Sequence, residues 1–156
     1  MKKQISIEGE GLAALNTIVS SESFTSRADA RKVHAVSQWL LAPMKLYTTK
    51  VEAIQDEYGE EVPDAIPEGA PEGYKPKIKM VVPDAKVEAY KKAIEDAKNE
   101  KYVVQFDRES FSFCNGIVDR VFERPEIKKQ NGLAGVDQAK NIEQISVAFE
   151  QAVDVK

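Results

Sequence analysis

With 156 residues, 42% of them hydrophobic and 31% charged, the chain has enough apolar material for one useful core and a soluble surface. It contains no run of roughly 18 apolar residues, which excludes a spanning helix of the ordinary hydropathic kind. The net charge of −4 argues against nonspecific nucleic-acid binding, and the single cysteine, Cys114, excludes an internal disulfide and fits a reducing compartment.

The Met-Lys-Lys start leads into polar-alternating residues instead of an apolar run, so no signal peptide is expected and the cytoplasm is the expected location. Ile5 and Ile7 alternate with polar neighbours, which predicts a strand over 4–8. Gly9-Glu-Gly11 turns it into a helix with Leu12, Leu15, Ile18 and Val19 on one face, and 20–25 reads as a loop. Ser26-Arg-Ala-Asp29 has the spacing of a capping box and opens a second helix carrying Val33, Val36 and Leu40. Pro43 is expected either to kink this helix or, by preference, to start the next one at its first turn.

That next helix has apolar residues at Met44, Tyr47, Val51, Ile54 and Tyr58, a stripe close to a heptad seam. A matching stripe at Val87, Tyr90, Ile94 and Ala97 predicts a second helix, with Asp84 placed to cap it. Pro63, Pro67, Pro71, Pro76 and Pro83 forbid a helix in the insert between them, and the tandem Pro-Glu-Gly of 67–73 should be turn-rich. From Val51 to Tyr74 there are eight acids and no Lys or Arg, a net −8 that leaves +4 for the remainder. Lys75, Lys77 and Lys79 follow, alternating with apolar residues, so 77–82 reads as a strand with one basic face and a short buried end.

Residues 102–107 form the clearest strand in the chain, and Asp107-Arg-Glu-Ser110 opens a helix with Phe111, Cys114, Ile117, Val118 and Val121 along one side, ended at Arg124-Pro125. A loop over 128–135, a last helix capped by Asp137 with Ile142, Ile145 and Phe149 inside, and a fraying terminus at 153–156 complete the reading.

The two flanks resemble each other. Shifted by 99 residues, Ile5, Ile7, Glu10, Leu12, Asn16, Ile18 and Val19 fall on Val104, Phe106, Glu109, Phe111, Asn115, Ile117 and Val118. Shifted by 109, Ala30, Val33, Val36 and Leu40 fall on Ala139, Ile142, Ile145 and Phe149. The expected architecture is therefore a mostly helical α+β single domain, 1–156. Two pseudo-symmetric strand–helix–helix units (4–42 and 102–153) are joined by a helical hairpin (43–100), with a small antiparallel sheet from strands near 4–8, 77–82 and 102–107.

Candidate chemistry is sparse. Gly9-Glu-Gly-Leu-Ala-Ala14 mimics a dinucleotide fingerprint, but no βαβ unit follows and Glu8 and Glu10 would repel a pyrophosphate. His34 is the only histidine, so no zinc site is expected, and Cys114 reads as a packed thiol. The acidic run lacks the ligand ladder of an EF-hand. No catalytic residue, metal or cofactor is assigned.

One resemblance touches the middle of the chain. Pro43-Met-Lys-Leu-Tyr47, the stop at Glu57-Tyr-Gly-Glu60, then Val82-Pro-Asp-Ala-Lys86 and Tyr90 to Glu100 resemble a family of small bacteriophage proteins of unknown function. The resemblance covers about 60 residues and implies a phage origin and life in the host cytoplasm.

The first functional reading is a non-enzymatic interaction protein, an accessory or host-takeover factor, that binds a protein partner through Glu60, Glu61, Asp64, Glu68, Glu72, Lys75, Lys77 and Lys79. Two alternatives stand beside it. One is a homo-oligomeric structural component of a phage particle, assembled through the heptad-like stripes. The other is a small ligand-binding enzyme whose carboxylates, Glu8, Glu10, Asp107 and Glu109, meet where the repeats join.

Overall fold

The structure is a computed structural model that describes the backbone of residues 1–21, 26–122 and 133–156 and the side chains of 1–21, 26–121 and 140–156. Of the loop expected over 20–25, Ser20 and Ser21 belong to the helix Gly9–Ser21 and 22–25 lie outside the described residues, as do the stop at Arg124-Pro125 and most of the loop over 128–135. The elements in chain order are β1 (Lys2–Glu8), α1 (Gly9–Ser21), α2 (Arg27–Tyr58), β2 (Glu60–Pro63), β3 (Ile78–Val81), a 3₁₀ turn (Asp84–Lys86), α3 (Val87–Asn99), β4 (Lys101–Asp107), α4 (Arg108–Phe122), α5 (Leu133–Glu150) and β5 (Val153–Val155). This is the mostly helical α+β architecture that the patterning implies. The described residues form two compact units, Met1–Tyr47 with Lys98–Lys156, and Thr48–Ala97.

The first unit holds a three-stranded antiparallel sheet in the order β4-β1-β5. Period-2 alternation makes its central ladder. Ile5 and Ile7 on β1, and Tyr102, Val104 and Phe106 on β4, all point to one buried face, while their neighbours face out. Leu12, Leu15 and Val19 of α1, Cys114 and Val118 of α4, Ile145 and Phe149 of α5, and Val36 and Leu40 of α2 close over that face as one core. Each strand runs straight into its helix, Glu8 into Gly9 and Asp107 into Arg108. Under the 99-residue shift the two strands coincide at both ends, Lys2–Glu8 falling on Lys101–Asp107.

Two helix starts follow from local chemistry. The Ser26 hydroxyl accepts the Asp29 N–H at 3.1 Å, the capping half of the expected box. Asp107 Oδ1 accepts the Ser110 N–H at 2.7 Å and caps α4 in the same way.

Several expectations are corrected. Pro43 does not start a helix; it lies buried inside one continuous helix, Arg27–Tyr58, where its missing N–H leaves a single carbonyl of the preceding turn without its usual donor. Asp84 does not cap α3. It sits in the 3₁₀ turn, whose N-cap is Pro83, with no side-chain capping bond. Asp137 and Gly135 are within α5, which already begins at Leu133. The C-terminal residues expected to fray form a strand: Val153–Val155 pairs with Lys2–Gln4, and Lys3 Nζ meets Asp154 Oδ1 at 3.1 Å.

Candidate interaction surface

The second unit carries every residue of the proposed partner site. Gly59 ends the helix: its N–H bonds to the Gln55 carbonyl at 2.7 Å, and a Cβ there would come within 2.6 Å of that oxygen. The chain then turns into β2, which pairs antiparallel with β3 in the register Glu60↔Val81, Glu61↔Met80, Val62↔Lys79 and Pro63↔Ile78. The strand expected at 77–82 is thus present at 78–81, but its partner is β2 and the ladder is a separate two-stranded sheet. Tyr58 and Tyr90 meet edge to face with centroids 6.3 Å apart, joining the ends of the two apolar stripes of this unit.

Antiparallel pairing puts opposed residues on one face. One face therefore carries Glu60, Val62, Lys79 and Val81, and the Asp64 N–H extends the ladder to the Lys77 carbonyl at 2.7 Å. Its charges partly neutralise each other, since Lys79 Nζ lies 3.0 Å from Asp64 Oδ1 and Lys86 Nζ lies 3.8 Å from Glu60 Oε1. These pairs are solvent-exposed, which leaves each worth at most about 1 kcal/mol. The other face carries Glu61, Pro63, Ile78 and Met80.

The short buried end expected of this strand is absent. All four residues of β3 are exposed, and Ile78 keeps 68% of its surface in solvent because only one strand backs it. Between β2 and β3 the tandem Pro-Glu-Gly makes two successive turns, closed by Ala70 N–H to Pro67 C=O at 3.1 Å and Tyr74 N–H to Pro71 C=O at 3.0 Å. Each needs positive φ at its third residue, supplied by Gly69 (80°) and Gly73 (82°). Glu68 and Glu72 occupy the second turn positions and stand exposed, as do Lys75 and Lys77. Ile66, just before the first turn, is 61% exposed.

The sequence reading named the charges of this surface and missed its apolar members, Ile66, Ile78 and Met80. The alternation of Ile78 and Met80 with Lys77 and Lys79 fixed that they share a face. It could not tell that Ile78 would stand 68% exposed and Met80 only half covered, its methyl close over Gly59.

The other chemical candidates settle quickly. Cys114 is fully buried, and burial pushes its thiol up to about 12, the opposite of a nucleophile. His34 is exposed on α2. The register pairs Lys2 with Asp107 and Glu8 with Lys101, so Glu8 and Glu10 lie at one end of the β1–β4 ladder and Asp107 and Glu109 at the other, about 20 Å apart by strand rise. The four carboxylates do not converge where the repeats join. Among the described residues no group of three or more His, Cys, Asp or Glu side chains is placed to hold a metal ion, and no helix is long and apolar enough to cross a membrane.

Comparison with known proteins finds no match to a family model, to a curated protein or to a solved structure.

Proposed function

We propose that this chain is a non-enzymatic interaction protein whose Thr48–Ala97 unit binds a protein partner. The observation that carries the reading is the exposed apolar pair Ile78 (68% in solvent) and Met80 on one face of the β2–β3 hairpin, with Ile66 exposed in the connecting loop and the eight acids of 51–74 running up to and along the same hairpin. Exposed apolar anchors give a partner area to bury, and the surrounding carboxylates steer a basic one and reject acidic competitors. The partner this surface fits is a protein presenting apolar side chains flanked by Lys and Arg. Action as a phage-encoded accessory or takeover factor in the host cytoplasm belongs to the same proposal. It rests on the resemblance of residues 43–60 and 82–100 and on the lone, buried thiol.

Capture on the immobilised chain from native lysate tests the reading, with the double variant Ile78→Glu, Met80→Glu and the deletion of 64–72 as comparisons. A stoichiometric partner retained by the parent chain and lost by both variants is expected, with the parent chain's retention weakening as salt screens the acids. Failure to retain any partner, or equal retention by all three chains, overturns it. Light scattering separates the assembly alternative: a concentration-dependent rise in mass that the double variant abolishes would assign the face to a second copy of the chain.

A further inference from the structure

The pseudo-symmetry makes one half of the first unit a control for the other. Each repeat has a strand–helix turn, and the second helix of the opposite repeat packs over it. Over the β1–α1 turn lies α5: Lys140 Nζ pairs with Glu10 Oε2 at 3.3 Å, and Gln144 fits so closely above Gly11 that a Cβ there would come within 3.0 Å of Gln144 Oε1. Over the β4–α4 turn lies α2, and the repeat shifts place Arg31 for Lys140, Ala35 for Gln144, Glu109 for Glu10 and Ser110 for Gly11. The plug is gone from this second site. Where Gln144 fills the first turn, the methyl of Ala35 leaves a cavity of about 210 Å³ lined by Arg31, Lys32, Ala35, Asp107, Glu109 and Ser110.

Three features of the open site point to a ligand. The ion pair that closes the first site has no counterpart here: among the described residues Arg31 and Glu109 pair neither with each other nor with another group. Ser110 is 5% exposed and lines the cavity; its N–H is satisfied by Asp107, and among the described residues its hydroxyl has no hydrogen-bond partner. The volume lies below the roughly 300 Å³ at which sites for drug-sized molecules begin, so the occupant is small. Two cations and two carboxylates line one small space. A simple anion would face Glu109 and Asp107, and a simple cation would face Arg31 and Lys32, each at a like-charge penalty.

We propose that the cavity over the β4–α4 turn binds a small zwitterion, a free α-amino acid, with its carboxylate toward Arg31 and Lys32, its ammonium toward Glu109, and the Ser110 hydroxyl bonded to it. The bound molecule takes the place that Gln144 takes in the other repeat and completes the interrupted charge pair. The site belongs to the first unit and is independent of the hairpin surface.

Amide chemical-shift titration of the full chain with L-alanine tests this, with acetate and ethylammonium as probes that each carry one of the two charges. Saturable shifts centred on Ala35, Glu109 and Ser110 are expected with L-alanine in the millimolar range and not with either single-charge probe. Ala35→Gln, which copies the plug of the first repeat, and Arg31→Gln, a change at an exposed side chain, should each weaken binding by at least about tenfold while the remaining spectrum is unchanged. No saturable shift with L-alanine, equal shifts with acetate or ethylammonium alone, or undiminished binding in both folded variants would overturn the proposal.

Discussion

Ile5 faces Val104 across the β1–β4 ladder, and each is the other's counterpart in the internal repeat. A two-fold axis between antiparallel strands must pass through a position paired with its own equivalent. The 99-residue shift and the observed register meet that condition at this pair, so the axis of the first unit runs between these two side chains. Both are 1% exposed and both sit in the same core.

Truncation at the axis should therefore be costly on either side. Ile5→Ala is expected to destabilise the first unit by about 2–4 kcal/mol and Val104→Ala by about 1–3 kcal/mol, from lost burial and the cavity left behind. Val103→Ala, one residue along β4 and half exposed, should change stability by less than about 0.5 kcal/mol. Chemical denaturation of the three variants checks the contrast; equal losses at 103 and 104 would contradict the inward register of β4.

Tyr102 offers a change in the opposite direction. Its ring packs edge to face on Tyr47 with centroids 5.6 Å apart, but its hydroxyl is buried and, among the described residues, bonded to nothing. Burial raises its pKa, and Tyr47 adds to the shift. Removing the hydroxyl keeps the ring contact and deletes an unsatisfied polar atom, so Tyr102→Phe should be neutral or stabilise by up to about 1 kcal/mol. A thermal melt reads the sign, and a clear loss of stability would show that the hydroxyl has a bonded partner in solution.

What could be read from the sequence was decided by periodicity and direct neighbours. The β1 and β4 faces and the Ser26 cap follow from spacing, because alternating Ile5, Ile7 and Val104, Phe106 can bury only one face each and Ser26 stands three residues before Asp29. What failed depended on contacts distant in the chain. Val153–Val155 looks like a frayed end until Lys2–Gln4 is there to pair with it. Met44–Leu46, which the repeat aligns with β5, stays helical, because Met44 and Tyr47 pack against the core from a helix that Pro43 does not interrupt. The open cavity at Ser110 was illegible for the same reason: it exists only as the difference between Ala35 and Gln144 in two helices placed over opposite turns.

The tandem turns should respond to backbone handedness and not to crowding. Gly69 and Gly73 have open space where a Cβ would stand, so only their positive φ resists substitution. Gly69→Ala and Gly73→Ala should each weaken their turn by about 1 kcal/mol, near fivefold in the opening equilibrium. Hydrogen exchange at Ala70 and Tyr74, whose N–H groups close the two turns, reads the effect residue by residue. D-alanine at either position should restore protection.

Cys114 sets an alkaline limit on the first unit. Its thiol is pushed by burial from an ordinary 9.0 to about 12, while in the unfolded chain it titrates near the ordinary value. Below pH 9 both states hold the proton and the group contributes no pH dependence. Above it the unfolded chain releases the proton and the folded chain does not, so stability falls as pH rises from about 9 towards 12, by up to about 1.4 kcal/mol per pH unit. Tyr47 and Tyr102, also raised by burial, add to the loss from their ordinary 10.0 upward. Urea denaturation at pH about 7, 9 and 10.5 should show a flat first interval and a steep second one, and Cys114→Ala, though less stable at neutral pH from its cavity, should lose less stability over the second. Rapid reaction of the folded chain with a disulfide reagent at neutral pH would contradict the burial on which this rests.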